Sequence, residues 1–173
     1  MTSSNDVIEY QTRRLDIGLP SLYDQARDNF ERLVPEVDYA RFFQLANWQA
    51  HLELAEINAP HGFMFYNRID VSAVLANAPS APWKATQYLM GNHTIAERMF
   101  RHDPSIMLHA PLRALIYADR EGHTHFTIDQ PSSLFDSYDS PAVSAVGVEL
   151  DELAAQLIHL LGGQPPSELT SRR

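Results

Sequence analysis

Leu112-Arg113-Ala114-Leu115-Ile116-Tyr117-Ala118, then Asp119-Arg120-Glu121-Gly122, then His123-Thr124-His125-Phe126-Thr127-Ile128, is the stretch on which the fold class turns. The four-residue connection suits a type I turn closed by a glycine bulge: Gly122 takes a positive φ and Asp119 hydrogen-bonds back into the turn. That turn sets Asp119 opposite His123, and the pairing continues as Ala118 with Thr124, Tyr117 with His125, Ile116 with Phe126 and Leu115 with Thr127. One face then carries Leu112, Ala114, Ile116, Ala118, Phe126 and Ile128, a coherent core. The other carries Arg113, Leu115, Tyr117, His123, His125 and Thr127. A slip of one residue would mix the histidines with Ala114 and Ile116 and compromise both faces.

Working outward, Val7 to Ile17 alternates β-branched and aromatic residues and stops at Gly18 and Pro20, which predicts a first strand. Ser21 is the expected cap of an amphipathic helix through Leu22, Ala26, Phe30 and Leu33 or Val34, ended by Pro35. Asp38 to Ile57 has the spacing of a longer, aromatic-rich second helix that stops at Asn58-Ala59-Pro60. Phe63 to Ile69 reads as a buried strand, Val71 to Ala78 as a short helix, and Trp83 to Met90 as a further strand after a Pro-rich loop. Asn92 or Thr94 caps a helix from Ile95 to about Arg101, which Asp103-Pro104 breaks. A last helix spans Glu149 to Leu161 and closes on Gly162-Gly163. The expected architecture is α+β: a single, mainly antiparallel sheet of about five strands with helices packed mainly on one face. One domain spans 1–163, and 164–173 is expected to be a disordered tail.

Composition narrows the function classes. Thirteen Lys and Arg against 22 Asp and Glu give a formal charge of -9, a field that disfavours nucleic acid and anionic membranes as partners. With no cysteine, disulfides, thiolate metal sites, iron-sulfur clusters and a cysteine nucleophile are excluded. No apolar run is long enough to span a bilayer and no secretory leader pattern opens the chain, so a cytoplasmic protein is expected. Gly-rich phosphate loops, a His-Glu-x-x-His pair and a Gly-x-Ser-x-Gly elbow are all absent from the sequence.

The polar face of the hairpin is the candidate site. Arg113 offers a fixed fork of donors for an anionic group, Tyr117 a donor and acceptor, and His125 and His123 bases near neutral pH. The alternative is that these residues form only the solvated side of a sheet. His93, at a helix start, is a further ligand-binding candidate. The expected function is binding of a small anionic or hydroxylated organic molecule, with the second helix partly covering the face. If the protein is an enzyme, His125 or His123 carries the proton, Tyr117 hydrogen-bonds the reacting oxygen and Arg113 holds the anion. His125 is expected to be the sheltered member of the pair and His123 the wet one. The two lie about 7 Å apart along one strand, a spacing compatible with one metal whose third ligand comes from His93, His109 or Asp119. Haem ligation by one of them is the other cofactor option. Paired strand histidines are more often surface residues, so no metal ligand and no cofactor is assigned. A dimeric interaction module without a pocket is the alternative of a different class. The aromatic residues Phe42, Phe43, Trp48, Phe63, Phe65 and Tyr66 read as core, as an apolar pocket wall or as a dimer face.

Gly91-Asn92, Ala96, Asp103-Pro104-Ser105, Leu108, Pro111-Leu112-Arg113-Ala114-Leu115-Ile116-Tyr117, Asp119, Gly122 and Pro131 occur in an order that resembles the bacterial and archaeal family known as domain of unknown function 302. Arg68-Ile69-Asp70, followed by a short helix and a strand ending in Gly-Asn, is also similar to that family. The resemblance covers roughly residues 62–135. It implies a compact α+β fold, often associated as a homodimer, and no established reaction. Two departures, an apparent helical insertion at 38–60 and the histidines at 123 and 125, point to a specialised member with its own ligand.

Overall fold

The computed structural model describes residues 6–79 and 83–170. Five strands form one antiparallel sheet: β1 (Arg14–Leu19), β2 (Met64–Asp70), β3 (Ala85–Gly91), β4 (Leu112–Ala118) and β5 (Thr124–Asp129), in the spatial order β1-β5-β4-β3-β2. The hairpin register is the one its turn chemistry predicts, with Tyr117 opposite His125 and Ile116 opposite Phe126. Gly122 sits at φ 85°, and Asp119 Oδ1 accepts the His123 backbone N–H at 2.8 Å.

Strand alternation sends Leu15, Ile17, Tyr88, Met90, Ala114, Ile116, Phe126 and Ile128 to one side, all buried. Two helices supply most of the apolar surface on that side. In α1 (Tyr23–Leu33) the residues Tyr23, Ala26 and Phe30 recur at helical spacing and face the sheet. In α7 (Pro141–Leu160) the stripe is Val143, Val146, Leu150, Ala154, Leu157 and Ile158. Helices on one side and an antiparallel sheet make the fold α+β. Among the described residues no helix is long and apolar enough to cross a membrane.

Several boundaries depart from expectation. The first strand begins at Arg14, not Val7, because its partner β5 ends at Asp129, opposite Arg14; Val7 and Ile8 are left exposed. The α1 cap is Leu22, with no side-chain bond, so Ser21 does not cap it. The second helix is two helices, α2 (Tyr39–Phe42) and α3 (Trp48–Asn58), because the Asn47 side chain accepts the Ala50 N–H and starts a new helix. The last helix starts eight residues early, with Pro141 in its first turn. The end of the chain is tied down through residue 170: Leu169 is buried, and the Gln130 side chain donates to the Glu168 carbonyl at 3.1 Å. Residues 171–173 of the expected tail, and Ser80, Ala81 and Pro82 of the Pro-rich loop, lie outside the described residues.

Many family-like residues hold the frame. Arg68 pairs with Glu31 of α1 at 3.0 Å, and Asp70 caps α4 (Val71–Val74). Asn92 caps α5 (His93–Phe100), and Asp103 caps the short 3-10 turn Pro104–Leu108. A buried polar cluster joins α6 (Pro131–Phe135) to α7. Asp151 accepts the Ser132 N–H at 2.9 Å, the Ser132 hydroxyl at 2.6 Å and the Gln130 amide at 2.7 Å.

Candidate functional site

The sheet's second side is not covered by the aromatic segment. A small cluster of Val37, Phe42, Leu54 and Ala55 gathers instead around Met64, at the start of β2. β2 is an edge strand with β3 and β4 between it and β5, so α2 and α3 lie away from His125. The expectation that the second helix shelters the Arg113, Tyr117 and His125 face is therefore corrected: strand order takes the helix to the other edge.

On that open side Tyr117, His125 and His123 do come together. The Tyr117 ring stacks on His125 at 4.8 Å, and its hydroxyl donates to the Asp16 carboxylate at 3.0 Å. His125 Nε2 and His123 Nδ1 lie 3.3 and 3.2 Å from the same oxygen, Asp119 Oδ2. His125 is sheltered and His123 exposed, with side chains 22% and 74% accessible. Partial burial pushes the Asp119 carboxyl up, but the His123 N–H and the two imidazoles outweigh it and hold it below the usual carboxylate value. Arg113 is not part of this group. It stands four residues from Tyr117, about 13 Å along the strand, exposed and with no hydrogen bond or ion pair among the described residues.

A cavity of about 650 Å³ opens at the other end of β4, within the ~300–1,000 Å³ typical of small-molecule sites. It is walled by α5, by Leu89 and Gly91 of β3, by Pro111 and Leu112 at the start of β4, and by Phe135 and Leu150; Tyr39, Trp48 and Tyr66 close its other side. The lining is mostly apolar, and His93 is its imidazole. Leu89 is the cross-strand neighbour of Arg113, which places the backbone of Arg113 beside the rim.

His93 is held by Tyr66. The Tyr66 oxygen accepts the His93 backbone N–H at 2.9 Å and lies 3.1 Å from its Nδ1. Burial pushes the Tyr66 phenol up to about 12, so it keeps its proton at pH 7. Burial, and then the neighbouring His51, push the His93 imidazole down, so it is neutral at pH 7. Its Nε2 is buried and has no hydrogen-bond partner among the described residues. The Phe42 ring meets His93 edge-on at 4.4 Å and the His51 ring does so at 5.9 Å.

Of the sequence candidates, then, His93 lines a cavity, Arg113 flanks it, and Tyr117, His125 and His123 form a separate polar group. Sequence reasoning missed Tyr66, His51 and Trp48 as neighbours of His93. The spacing of Trp48 and His51, three apart on a helix, was the one local signal that they share a face.

No curated protein matches the sequence. The fold is similar to the crystal structure of an uncharacterized conserved DUF302 protein from Bacillus stearothermophilus, with a TM-score of 0.64 at 12% identity over 86% of this chain and 97% of that one. The family model described as Domain of unknown function DUF302 matches residues 48–161. That span includes α3, so only 38–47 of the stretch read as an insertion falls outside it. Well over half of the chain is matched, and the protein belongs to the DUF302 family.

Proposed function

We propose that this protein binds a small, largely apolar organic molecule carrying one hydrogen-bond-accepting, preferably anionic, group. The observation that carries the reading is the 650 Å³, mostly apolar cavity with the His93 imidazole in its wall and Arg113 beside its rim. The apolar wall supplies affinity, the imidazole sets orientation, and Arg113 beside the rim favours a carboxylate or sulfonate. Acid-base catalysis by His125 and Tyr117 has less support, since the Tyr117 hydroxyl is already given to Asp16 and neither residue lines the 650 Å³ cavity. A homodimer draws support from Phe43, which is 84% exposed at the end of the aromatic segment.

Anilinonaphthalene sulfonate, an apolar probe with a single anion, tests the reading by fluorescence titration. Saturable binding that Ala96→Trp abolishes by filling the cavity, and that His93→Phe weakens about tenfold, is the expected result. Absence of saturable binding, or binding indifferent to Ala96→Trp, overturns it.

A further inference from the structure

We propose that the cavity holds a flexible-chain monocarboxylate, a fatty acid in chemical class, bent around the end of the sheet with its tail in the core and its carboxylate on the open side. The proposal rests on the cavity reading above and adds to it the shape of the ligand. Cross-strand partners point to the same side of a sheet, and successive residues of a strand point to opposite sides. Asn67 pairs with Leu89, and Leu89 with Arg113, so these three form one row on the open side. Met90 pairs with Leu112, and both are buried on the helix side. Yet Asn67, Leu89 and Leu112 all line the same cavity. The cavity therefore passes from one side of the sheet to the other. It does so at Gly91, where β3 stops, and Pro111, just before β4 begins.

The two ends of this passage differ in character. Met99, Leu112, Phe135 and Leu150 wall the inner end, and all four are buried and apolar, which suits a methyl terminus. Asn67 and Arg113, at the outer end, are exposed, so a carboxylate there keeps its hydration and avoids the cost of burying a charge. Between the two ends the ligand has to turn past the sheet's own backbone. A saturated chain does this through its staggered torsions, whereas a rigid fused-ring system has no torsion to turn with. Met99 and Met107 in the lining are themselves unbranched and adapt to an irregular chain. Gly91 keeps the corner clear: a Cβ there would stand 3.7 Å from Pro111 Cα and 3.7 Å from a Tyr66 ring carbon. Both of those residues wall the cavity, so a methyl group fits at this position and a larger side chain narrows the passage.

The test is calorimetric titration of the full chain with octanoate, decanoate, dodecanoate and tetradecanoate below their micelle concentrations, and with pyrene-1-carboxylate as a rigid anion. Affinity should rise about tenfold for each pair of added methylenes, and dodecanoate should bind more tightly than pyrene-1-carboxylate by about tenfold or more. Gly91→Leu should flatten the gain beyond octanoate, while Gly91→Ala keeps it. Arg113→Ala should lower the affinity of every length by the same factor and leave the slope unchanged. Circular dichroism confirms that each variant is folded; if Gly91→Leu is not, the wild-type series and the rigid anion decide the matter. An affinity independent of chain length overturns the proposal, as does tighter binding of pyrene-1-carboxylate than of dodecanoate, or a full length dependence in folded Gly91→Leu. If one of these occurs while anilinonaphthalene sulfonate still binds saturably and Ala96→Trp abolishes it, the chain is lost and the cavity reading stands. If neither the chains nor the sulfonate bind, both are overturned.

Discussion

Tyr66 and His93 are bound to each other twice: the phenol oxygen takes the backbone N–H of His93 at 2.9 Å and meets the Nδ1 of the same residue at 3.1 Å. A phenol that accepts from the backbone and donates to Nδ1 leaves the imidazole hydrogen on Nε2. Long-range proton–nitrogen NMR should therefore find His93 as the Nε2–H tautomer. Tyr66→Phe should release the tautomer and cost about 1–2 kcal/mol, since it also leaves an N–H in the first turn of α5 without its acceptor. A tautomer unchanged by Tyr66→Phe would show that something other than this phenol sets it.

Acid should weaken the fold in a window set by histidines. His93 and His109 are both pushed below the ordinary value of 6.5, chiefly by burial. The unfolded chain then binds protons that the native state resists, so stability is full above pH 6.5 and falls as pH drops through the lowered values. Asp119 and Asp103, also lowered, act only near and below 3.8, outside that window. Urea midpoints should be lower at pH 5.5 than at pH 7.5, and His93→Gln should shrink the difference. An identical pH slope in the variant would remove His93 from the account.

Gly122 separates backbone strain from crowding. A Cβ there would meet nothing within 4 Å, yet its φ is 85°. Gly122→Val should cost about 1–3 kcal/mol, while Gly122→Asn, which tolerates the left-handed region, should cost clearly less. Equal losses would point to the added volume, contrary to the open space around this glycine.

Removing Asp151 should be among the most damaging single changes. Three donors converge on it in the interior, and Asp151→Ala leaves the Ser132 N–H and hydroxyl without their acceptor while Gln130 keeps only its bonds to Ser132 and Glu168. A loss of about 3 kcal/mol or more in urea unfolding is expected. A loss under about 1 kcal/mol would mean that water replaces the carboxylate without penalty.

Arg113→Ala should leave stability within about 0.5 kcal/mol of the wild type, because this side chain is exposed and has no partner among the described residues. The same change should weaken the anionic probe several-fold and flatten the salt dependence of its binding. An affinity and salt response unchanged by the substitution would take Arg113 out of the site.

The hairpin was legible in the sequence because one glycine and one aspartate fix its turn, and a period of two then assigns every side chain to a face. Strand ends and helix starts were less so, since they depend on where a distant partner stops or on a single cap such as Asn47. The cavity was the least legible part. Tyr66 lies at the irregularity in β2 between Phe65 and Asn67, where strict alternation fails, so its meeting with His93 leaves no periodic trace. The Asp151 cluster was hidden for a related reason: its aspartate falls on the buried side of a long helix, where charge is unexpected, and its partners lie on another element.

The order of the strands also bears on how the molecule is made. β2 to β5 each pair with the strand that precedes or follows them, whereas β1 joins at the far side, Arg14 against Asp129. At a synthesis rate of about 5–20 residues per second, β1 waits on the order of ten seconds before its partner exists. Through that interval Leu15, Ile17 and Leu19 have no sheet to cover them, and the nascent chain presents an unpaired, half-apolar segment that a ribosome-associated holdase is suited to shield. The last sheet contact to form therefore belongs to the first strand synthesised.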